Sequence, residues 1–151
     1  MGSTSLRDTE MRAWQALLHA HHSVIQVLDR ELREDHGLTL AEYDALLRLA
    51  RSPDRALRMT DLAERVMISP SGLTRMVDRL VTRGLVQRRS NTSDARIALA
   101  CLTDDGLRHL KIAARTHLRG IREHFTGRLS ETQLRNVASA LETISGPHVP
   151  H

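Results

Sequence analysis

Polar side chains suited to binding nucleic acid occur in three groups between residues 69 and 96 of this 151-residue chain. The first group combines hydroxyl and guanidinium groups over eleven positions: Ser69, Ser71, Thr74, Arg75 and Arg79. The second group is the pair Arg88 and Arg89, and the third is Asp94 with Arg96. Guanidinium groups bind phosphate and the major-groove edge of guanine, and hydroxyl groups donate to phosphate. The chemistry that these residues favour is therefore non-covalent recognition of a nucleic acid.

The first group lies on a predicted helix that follows a shorter helix. Apolar and polar residues follow each other with helical spacing over residues 60–66, which predicts a short amphipathic helix. Ser69 and Pro70 end this helix and begin a second one over 70–81. Serine is a favoured N-cap, and proline at the first helical position has no amide donor to lose. Apolar residues of this second helix return to the core: Leu73, Met76, Val77 and Leu80. The polar residues of its first turns are then exposed, as in a helix that enters the major groove.

The second and third groups lie on a predicted β-hairpin. Residues 84–89 and 97–102 have strand character, and the polar segment 90–96 joins them as a tight tip. The spacing of two between Asp94 and Arg96 lets the carboxylate hold the guanidinium in an extended pose. Helix, turn, helix and a two-stranded ribbon bearing arginines together predict a winged helix-turn-helix.

Four phrases in register resemble the MarR family of bacterial transcription regulators. They are Thr60-x-x-Leu-Ala, Ser71-x-x-Thr-Arg with Leu80-x-x-x-Gly-Leu-Val-x-Arg, Asp94-x-Arg, and Leu102-Thr-x-x-Gly. The resemblance implies a homodimer in which one helix reads the major groove and the wing arginine enters the minor groove. Many relatives carry a further basic residue where this chain has Ala95, which predicts a weaker grip by the wing.

The charge distribution agrees with a nucleic-acid surface. Residues 53–103 contain nine arginines and five acidic residues, so their net charge of +4 equals that of the whole chain. Such localised positive charge is typical of a nucleic-acid-binding face, although a solvated basic surface is the alternative. The polar start of the chain, its single cysteine and the absence of a long apolar run predict a cytoplasmic protein without contact with a membrane.

Long amphipathic helices are predicted on both sides of the winged segment. We expect one domain over 1–151, with dimerisation helices at 8–35 and 104–146 and a DNA-binding region at 39–103. The fold class is mainly α with a small β-hairpin wing. Because the flanking helices carry apolar stripes but have no sheet to cover, a second copy of the chain is the simplest partner. A monomeric bundle is the alternative.

Other clusters give weaker indications. The resemblance implies a cleft for a small phenolic or aromatic-acid effector, which Met11, Trp14, Tyr43 and Arg48 could line, although an aromatic residue at a dimer interface more often serves packing. The histidines have no zinc-type spacing with cysteine, so we expect no metal site and no cofactor. Cys101 falls on the apolar face of the returning strand and is predicted to be a small buried hydrophobe.

The sequence therefore predicts a dimeric, sequence-specific transcription regulator, most simply a repressor, which binds an inverted-repeat operator in double-stranded DNA. The alternative is a winged-helix module that binds proteins and no longer binds DNA, although such a module would be expected to lose Arg75, Arg88, Arg89 and Arg96. An enzyme is not expected, because the sequence has no catalytic triad, phosphate loop, paired acids or metal set.

Overall fold

Six helices and three short strands make up the chain in a computed structural model that describes residues 5–146. The helices are α1 (Asp8–His36), α2 (Leu40–Arg51), α3 (Met59–Val66), α4 (Pro70–Thr82), α5 (Asp104–His124) and α6 (Glu131–Ser145). The strands are β1 (Ala56–Arg58), β2 (Val86–Ser90) and β3 (Ala98–Leu102). Short 3-10 turns precede β1 and follow α5. The predicted fold class, mainly helical with a small antiparallel wing, is confirmed. The outermost residues of the expected domain, 1–4 and 147–151, lie outside the described residues.

Local signals in the sequence set the helix ends. Thr39 and Ser130 each form a capping box. The hydroxyl accepts from the backbone amide of the third helical residue, and the Glu42 or Gln133 side chain accepts from the backbone amide of the cap residue. Gly37 ends α1 in the left-handed conformation, at φ 63°, and its amide donates to the carbonyls of Arg33 and Leu32. Ser69 caps α4 with Pro70 in the first helical position, as predicted.

The sheet has one strand more than the sequence predicted. Its order is β1-β3-β2, and both pairs are antiparallel. The expected two-stranded ribbon is β2 with β3, in which Val86 pairs with Leu102 and Arg89 with Leu99. The additional strand β1 covers the other edge of β3, pairing Ala56 with Cys101. Three residues are too short a segment to show an alternating pattern, so only the pairing with β3 defines this strand.

The core lies between α2, α3, α4, the sheet and the first half of α5. Aliphatic side chains dominate it, and the largest that are fully buried are Leu32, Leu38, Leu46, Leu49, Leu62, Leu73, Leu80, Val77 and Val86. Helix α5 approaches the β2 end of the sheet closely at Gly106, where an added Cβ would lie 2.1 Å from the Leu85 carbonyl oxygen. A residue with a side chain would therefore push the helix away from the sheet.

Helices α1 and α6 cover little of this core. Residues 5–23 are all exposed, and α1 buries only Leu28 and Leu32, near its C-terminal end. No residue of α6 is buried. Large apolar side chains on these helices are exposed to solvent, among them Met11, Trp14, Leu18, Leu141 and Ile144. Within residues 5–146, no helix combines the length and the apolar character needed to cross a membrane.

Two arginines of the α4 segment dock it against the junction of α1 and α2. The Arg79 Nε donates to Glu42 Oε1 at 3.0 Å, and Glu42 is only 4% exposed. The other oxygen of Glu42 accepts from the Thr39 amide at 3.0 Å. One residue after α4, Arg83 donates to the backbone carbonyls of Gly37 and His36. Because a buried carboxylate is unfavourable without partners, the Glu42–Arg79 pair constrains how α4 lies against α2.

We predict that Arg79→Ala lowers the free energy of unfolding by about 1–3 kcal/mol, because Glu42 then stays buried without its ionic partner. Arg75→Ala, an exposed change on the same helix, serves as the control and should leave stability nearly unchanged. Urea unfolding followed by circular dichroism, at one protein concentration, measures both variants. Equal stability of the two variants would show that the Glu42–Arg79 pair does not hold α4.

Candidate nucleic-acid interface

The first turn of α4 presents hydroxyl groups to solvent. The Ser69 Oγ accepts from the Gly72 amide at 3.1 Å and lies 3.3 Å from the Ser71 Oγ. The Thr74 hydroxyl donates to the Pro70 carbonyl at 3.0 Å. All of these side chains are exposed, while Leu73, Met76, Val77 and Leu80 on the opposite face are buried. The helix therefore offers its N-terminal turn, with its positive dipole end, to a ligand outside the domain.

The two arginines predicted on α4 have different surroundings. Arg75 is exposed and makes no hydrogen bond or ion pair among residues 5–146, so its guanidinium is available to an external partner. Arg79 is bonded through Nε to Glu42, although 56% of its side chain is exposed. Sequence reasoning missed Glu42 because the two residues are 37 positions apart and no local spacing links them.

The arginines of strand β2 also differ. Arg88 forms an ion pair with Asp78, and its second guanidinium nitrogen donates to the Thr74 carbonyl at 3.2 Å. Arg88 therefore ties the wing to α4. Arg89 is exposed, and within residues 5–146 its side chain bonds only to the Gln87 side chain, at 3.1 Å. Of the two, Arg89 has the guanidinium that is less engaged within the chain.

The tip of the hairpin holds Arg96 in the pose that the sequence predicted. Asp94 accepts from the Arg96 Nε at 3.2 Å and Nη2 at 3.3 Å, and also from its backbone amide at 3.0 Å. These hydrogen bonds lower the pKa of Asp94, so the carboxylate stays charged. The side chain of Arg96 is nonetheless 91% exposed. Asp94 thus acts as a positioning residue for a guanidinium at the outermost point of the wing.

Away from these arginines, a concave surface lies between α1, α2 and α5. It is an open groove of about 730 Å³, lined mainly by apolar side chains together with Asp29, Tyr43, Asp44 and His117. The rings of Tyr43 and His117 are 4.6 Å apart. Burial lowers the pKa of His117, and its Nδ1 is buried without a hydrogen-bond partner among the described residues. The lowered pKa favours the neutral imidazole near pH 7, and its unpartnered Nδ1 is covered by protein atoms beside the groove.

The residues predicted to line an effector cleft are only partly brought together. Tyr43 lines the groove, and Arg48 forms an ion pair with the groove residue Asp44 at 3.1 Å. Met11 and Trp14 are exposed on the N-terminal half of α1 and are not among the groove residues. His117 was missed, because a histidine on an amphipathic helix gives no sequence signal for a cleft.

The single cysteine has the predicted environment. Cys101 is 6% exposed on strand β3, and burial raises the pKa of its thiol. The reactive thiolate is therefore disfavoured, which agrees with a packing role.

Comparisons with known proteins agree with this arrangement. Residues 36–97 match the family model described as MarR family. The chain is 35% identical over 99 residues to the HTH-type transcriptional repressor MdtR of Bacillus subtilis (strain 168); the match covers 66% of this chain and 63% of that protein.

Two solved structures match over nearly the whole chain. AbsC, a MarR family transcriptional regulator from Streptomyces coelicolor, is 33% identical, with a TM-score of 0.86 over 95% of this chain and 96% of that one. Sco3205, a MarR family regulator from the same organism solved in complex with DNA, is also 33% identical; its TM-score is 0.86 over 93% of this chain and 92% of that one. All three relatives are transcriptional regulators by name. The fold, the α4 surface, the wing and this similarity along the chain lead to one conclusion: the chain belongs to the MarR family of transcriptional regulators.

Proposed function

We propose that the chain is a homodimeric, sequence-specific repressor that binds an inverted-repeat operator in the cytoplasm. The observation that carries the DNA-binding part is that two available guanidinium groups project from different elements, one from α4 and one from the tip of the hairpin. Arg75 projects from α4 without a partner among the described residues, and Arg96 is held by Asp94 at 91% exposure. Repression is proposed because a protein that binds across a promoter keeps the transcription machinery from it. The relative MdtR is a repressor by name.

In this proposal each group of residues has its own role. Ser69, Ser71 and Thr74 let the N-terminal turn of α4 approach the phosphate backbone, and Arg75 reads a guanine edge in the major groove. Arg96 enters the minor groove, where it responds to the narrow shape of A·T-rich DNA. Arg89 contacts phosphate. Arg88 and Arg79 act mainly inside the protein, because Asp78 and Glu42 already hold them.

The homodimer is proposed from the surfaces that the chain leaves uncovered. Residues 5–23 of the N-terminal region are all exposed, and α6 has no buried residue. Trp14 is 53% exposed and Ile144 is 79% exposed. Helices of this amphipathic kind are stabilised mainly by burying their apolar face, and a second copy supplies a matching one. The two α4 helices would then lie about 34 Å apart, one turn of DNA.

We further propose that the groove beside Tyr43 binds a neutral phenolic effector in preference to an aromatic acid. Two carboxylates, Asp29 and Asp44, line the groove, whereas the arginines paired with them, Arg33 and Arg48, are not among its described lining residues. His117 is neutral, so it supplies no positive charge to offset an anion. Its unpartnered Nδ1 is covered in this structure, and a turn of the ring toward the groove would let it hydrogen-bond to a hydroxyl group.

We predict that Arg75→Ala and Arg96→Ala weaken DNA binding in different ways. Loss of Arg75 should cost about 1–3 kcal/mol per half-site on the operator and relax the preference at one base pair. Loss of Arg96 should weaken binding most on A·T-rich flanks. Arg89→Ala should weaken binding to all sequences alike and reduce the salt dependence by about one unit for each phosphate that the variant no longer neutralises.

Fluorescence anisotropy with the DNA upstream of its own gene and with a scrambled duplex, at three salt concentrations, measures these effects. A charge-neutral control is Thr143→Ala on α6, which should bind like the wild type. If Arg75→Ala weakened both duplexes equally, α4 would not read sequence. If the wild type bound neither duplex, the alternative of a protein-interaction module would be favoured.

We predict that Leu141→Glu shifts the protein towards a monomer and weakens operator binding, because it places a charge on the apolar face of α6. Asn136→Glu adds the same side chain to the polar face of that helix and should leave the dimer intact. Sedimentation equilibrium at micromolar concentration measures both. A wild-type protein that is monomeric under these conditions and still binds the operator tightly would contradict the homodimer.

We predict that 4-hydroxybenzamide binds more tightly than 4-hydroxybenzoate, since the two differ mainly in charge. Asp44→Asn should reduce this preference, because it removes one of the two carboxylates at the groove. Isothermal titration calorimetry measures the two affinities, and Asp105→Asn, a change outside the groove, is the control. Tighter binding of the benzoate would overturn the proposed ligand class.

A further inference from the structure

A cluster of possible metal ligands lies where the C-terminal end of α5 meets the C-terminal third of α1, outside both sites described above. It consists of Glu31 on α1 and of Glu123 and His124 on α5, each of which offers a ligand atom within 4.8 Å of the other two. The His124 Nε2 lies 2.6 Å from the Glu31 Oε1. The side chains of Glu31 and His124 are only 24% and 18% exposed, whereas Glu123 is exposed.

An ion pair between Glu31 and His124 does not account for the whole carboxylate. The second oxygen of Glu31, Oε2, is buried and has no hydrogen-bond partner among the described residues. A buried carboxylate oxygen without a partner is unfavourable, because it has lost its hydration and gained nothing in return. A cation bound by both oxygens of Glu31 would satisfy this atom.

The neighbouring helix makes room for this carboxylate. A Cβ added at Gly120 of α5 would lie 2.5 Å from Glu31 Oε2 and 2.6 Å from the Leu28 Cδ2. The absence of a side chain at Gly120 therefore lets Glu31 lie against α5, beside the two other ligand residues. On the far side, the Arg128 guanidinium donates to the Glu123 carbonyl at 3.0 Å and fixes the end of the helix that carries Glu123 and His124.

We propose that Glu31, Glu123 and His124 form a binding site for a divalent transition-metal ion of the zinc type. One imidazole nitrogen with two carboxylates is a donor set that zinc accepts, with ligand distances of about 2.0–2.2 Å. Neighbouring ligand atoms of a tetrahedral site are then roughly 3.3 Å apart, which side-chain rotation can reach from the observed positions. Water would complete the coordination on the exposed side of Glu123.

The bound ion would fasten α1 to α5. The cluster joins Glu31 of α1 to Glu123 and His124 of α5, which are far apart in the sequence. Helix α1 packs on the domain mainly through its C-terminal half. A metal bound only by the folded arrangement stabilises that arrangement by mass action. The site would thus stabilise the position of the long helix whose exposed N-terminal half is proposed to form the dimer. The metal site itself does not depend on that proposal.

The test is binding of Zn²⁺ and Co²⁺ to the full chain after removal of metals with a chelator. We expect titration calorimetry to show one Zn²⁺ per chain, and Co²⁺ to give visible absorption bands that Zn²⁺ abolishes. Glu31→Gln, Glu123→Gln and His124→Gln should each weaken Zn²⁺ binding on the order of tenfold or more. Zn²⁺ should also raise the melting temperature of the wild type, and by less in these variants.

His109→Gln is the matched control, because His109 also lies on α5 but bonds to the His36 carbonyl, away from the cluster. It should bind Zn²⁺ like the wild type. Glu123 is exposed, so Glu123→Gln tests the site even if changes at the half-buried Glu31 impair folding. The proposal is overturned if the wild type takes up no Zn²⁺ in molar excess. It is also overturned if Glu123→Gln and His124→Gln bind it unchanged, which would place the ion elsewhere, for example at His19, His21 and His22.

Discussion

The buried carboxylate of Glu42 constrains the arrangement on which the DNA-binding surface depends. Only 4% of this side chain is exposed, and its two oxygens are used by two different parts of the chain. One closes the capping box that begins α2, and the other accepts from Arg79 on α4. Losing either partner would leave a buried carboxylate oxygen unsatisfied, so the two hydrogen bonds favour one arrangement of the start of α2 against the last turn of α4.

The arginines of this region fall into two groups: those that are bonded within the domain and those whose guanidinium groups are available to DNA. Arg79, Arg83 and Arg88 are satisfied by Glu42, by the carbonyls that end α1, and by Asp78. These pairs link α4 to α2 and the wing to α4. Arg75 and Arg96 then project from elements that are tied to the rest of the domain. Such preorganisation lowers the entropy lost when a protein binds DNA, and it suits a reader of sequence.

The helices on either side of the winged domain, α1 and α6, carry surfaces that the single chain does not cover. The N-terminal half of α1 and the whole of α6 carry apolar side chains that stay exposed, and the proposed dimer would bury them. The groove beside Tyr43 lies between α1, α2 and α5, and the cluster around Glu31 lies where α1 meets the C-terminal end of α5. Both therefore involve the contact between α1 and α5. The end of α1 in turn accepts hydrogen bonds from Arg83, next to α4.

Local sequence determined much of this protein. Capping residues such as Thr39, Ser69 and Ser130 mark the starts of helices, and Gly37 marks the end of α1. The spacing of Asp94 and Arg96 predicts their ion pair. Each of these features depends on residues only a few positions apart. Tertiary structure decided the rest. Glu42 and Arg79 are 37 positions apart in the sequence, and Glu31 and His124 are 93 positions apart. Strand β1 is too short to show an alternating pattern, and only its pairing with β3 defines it. No spacing rule covers such distances, since the packing of helices and strands, rather than the chain between them, brings these groups together.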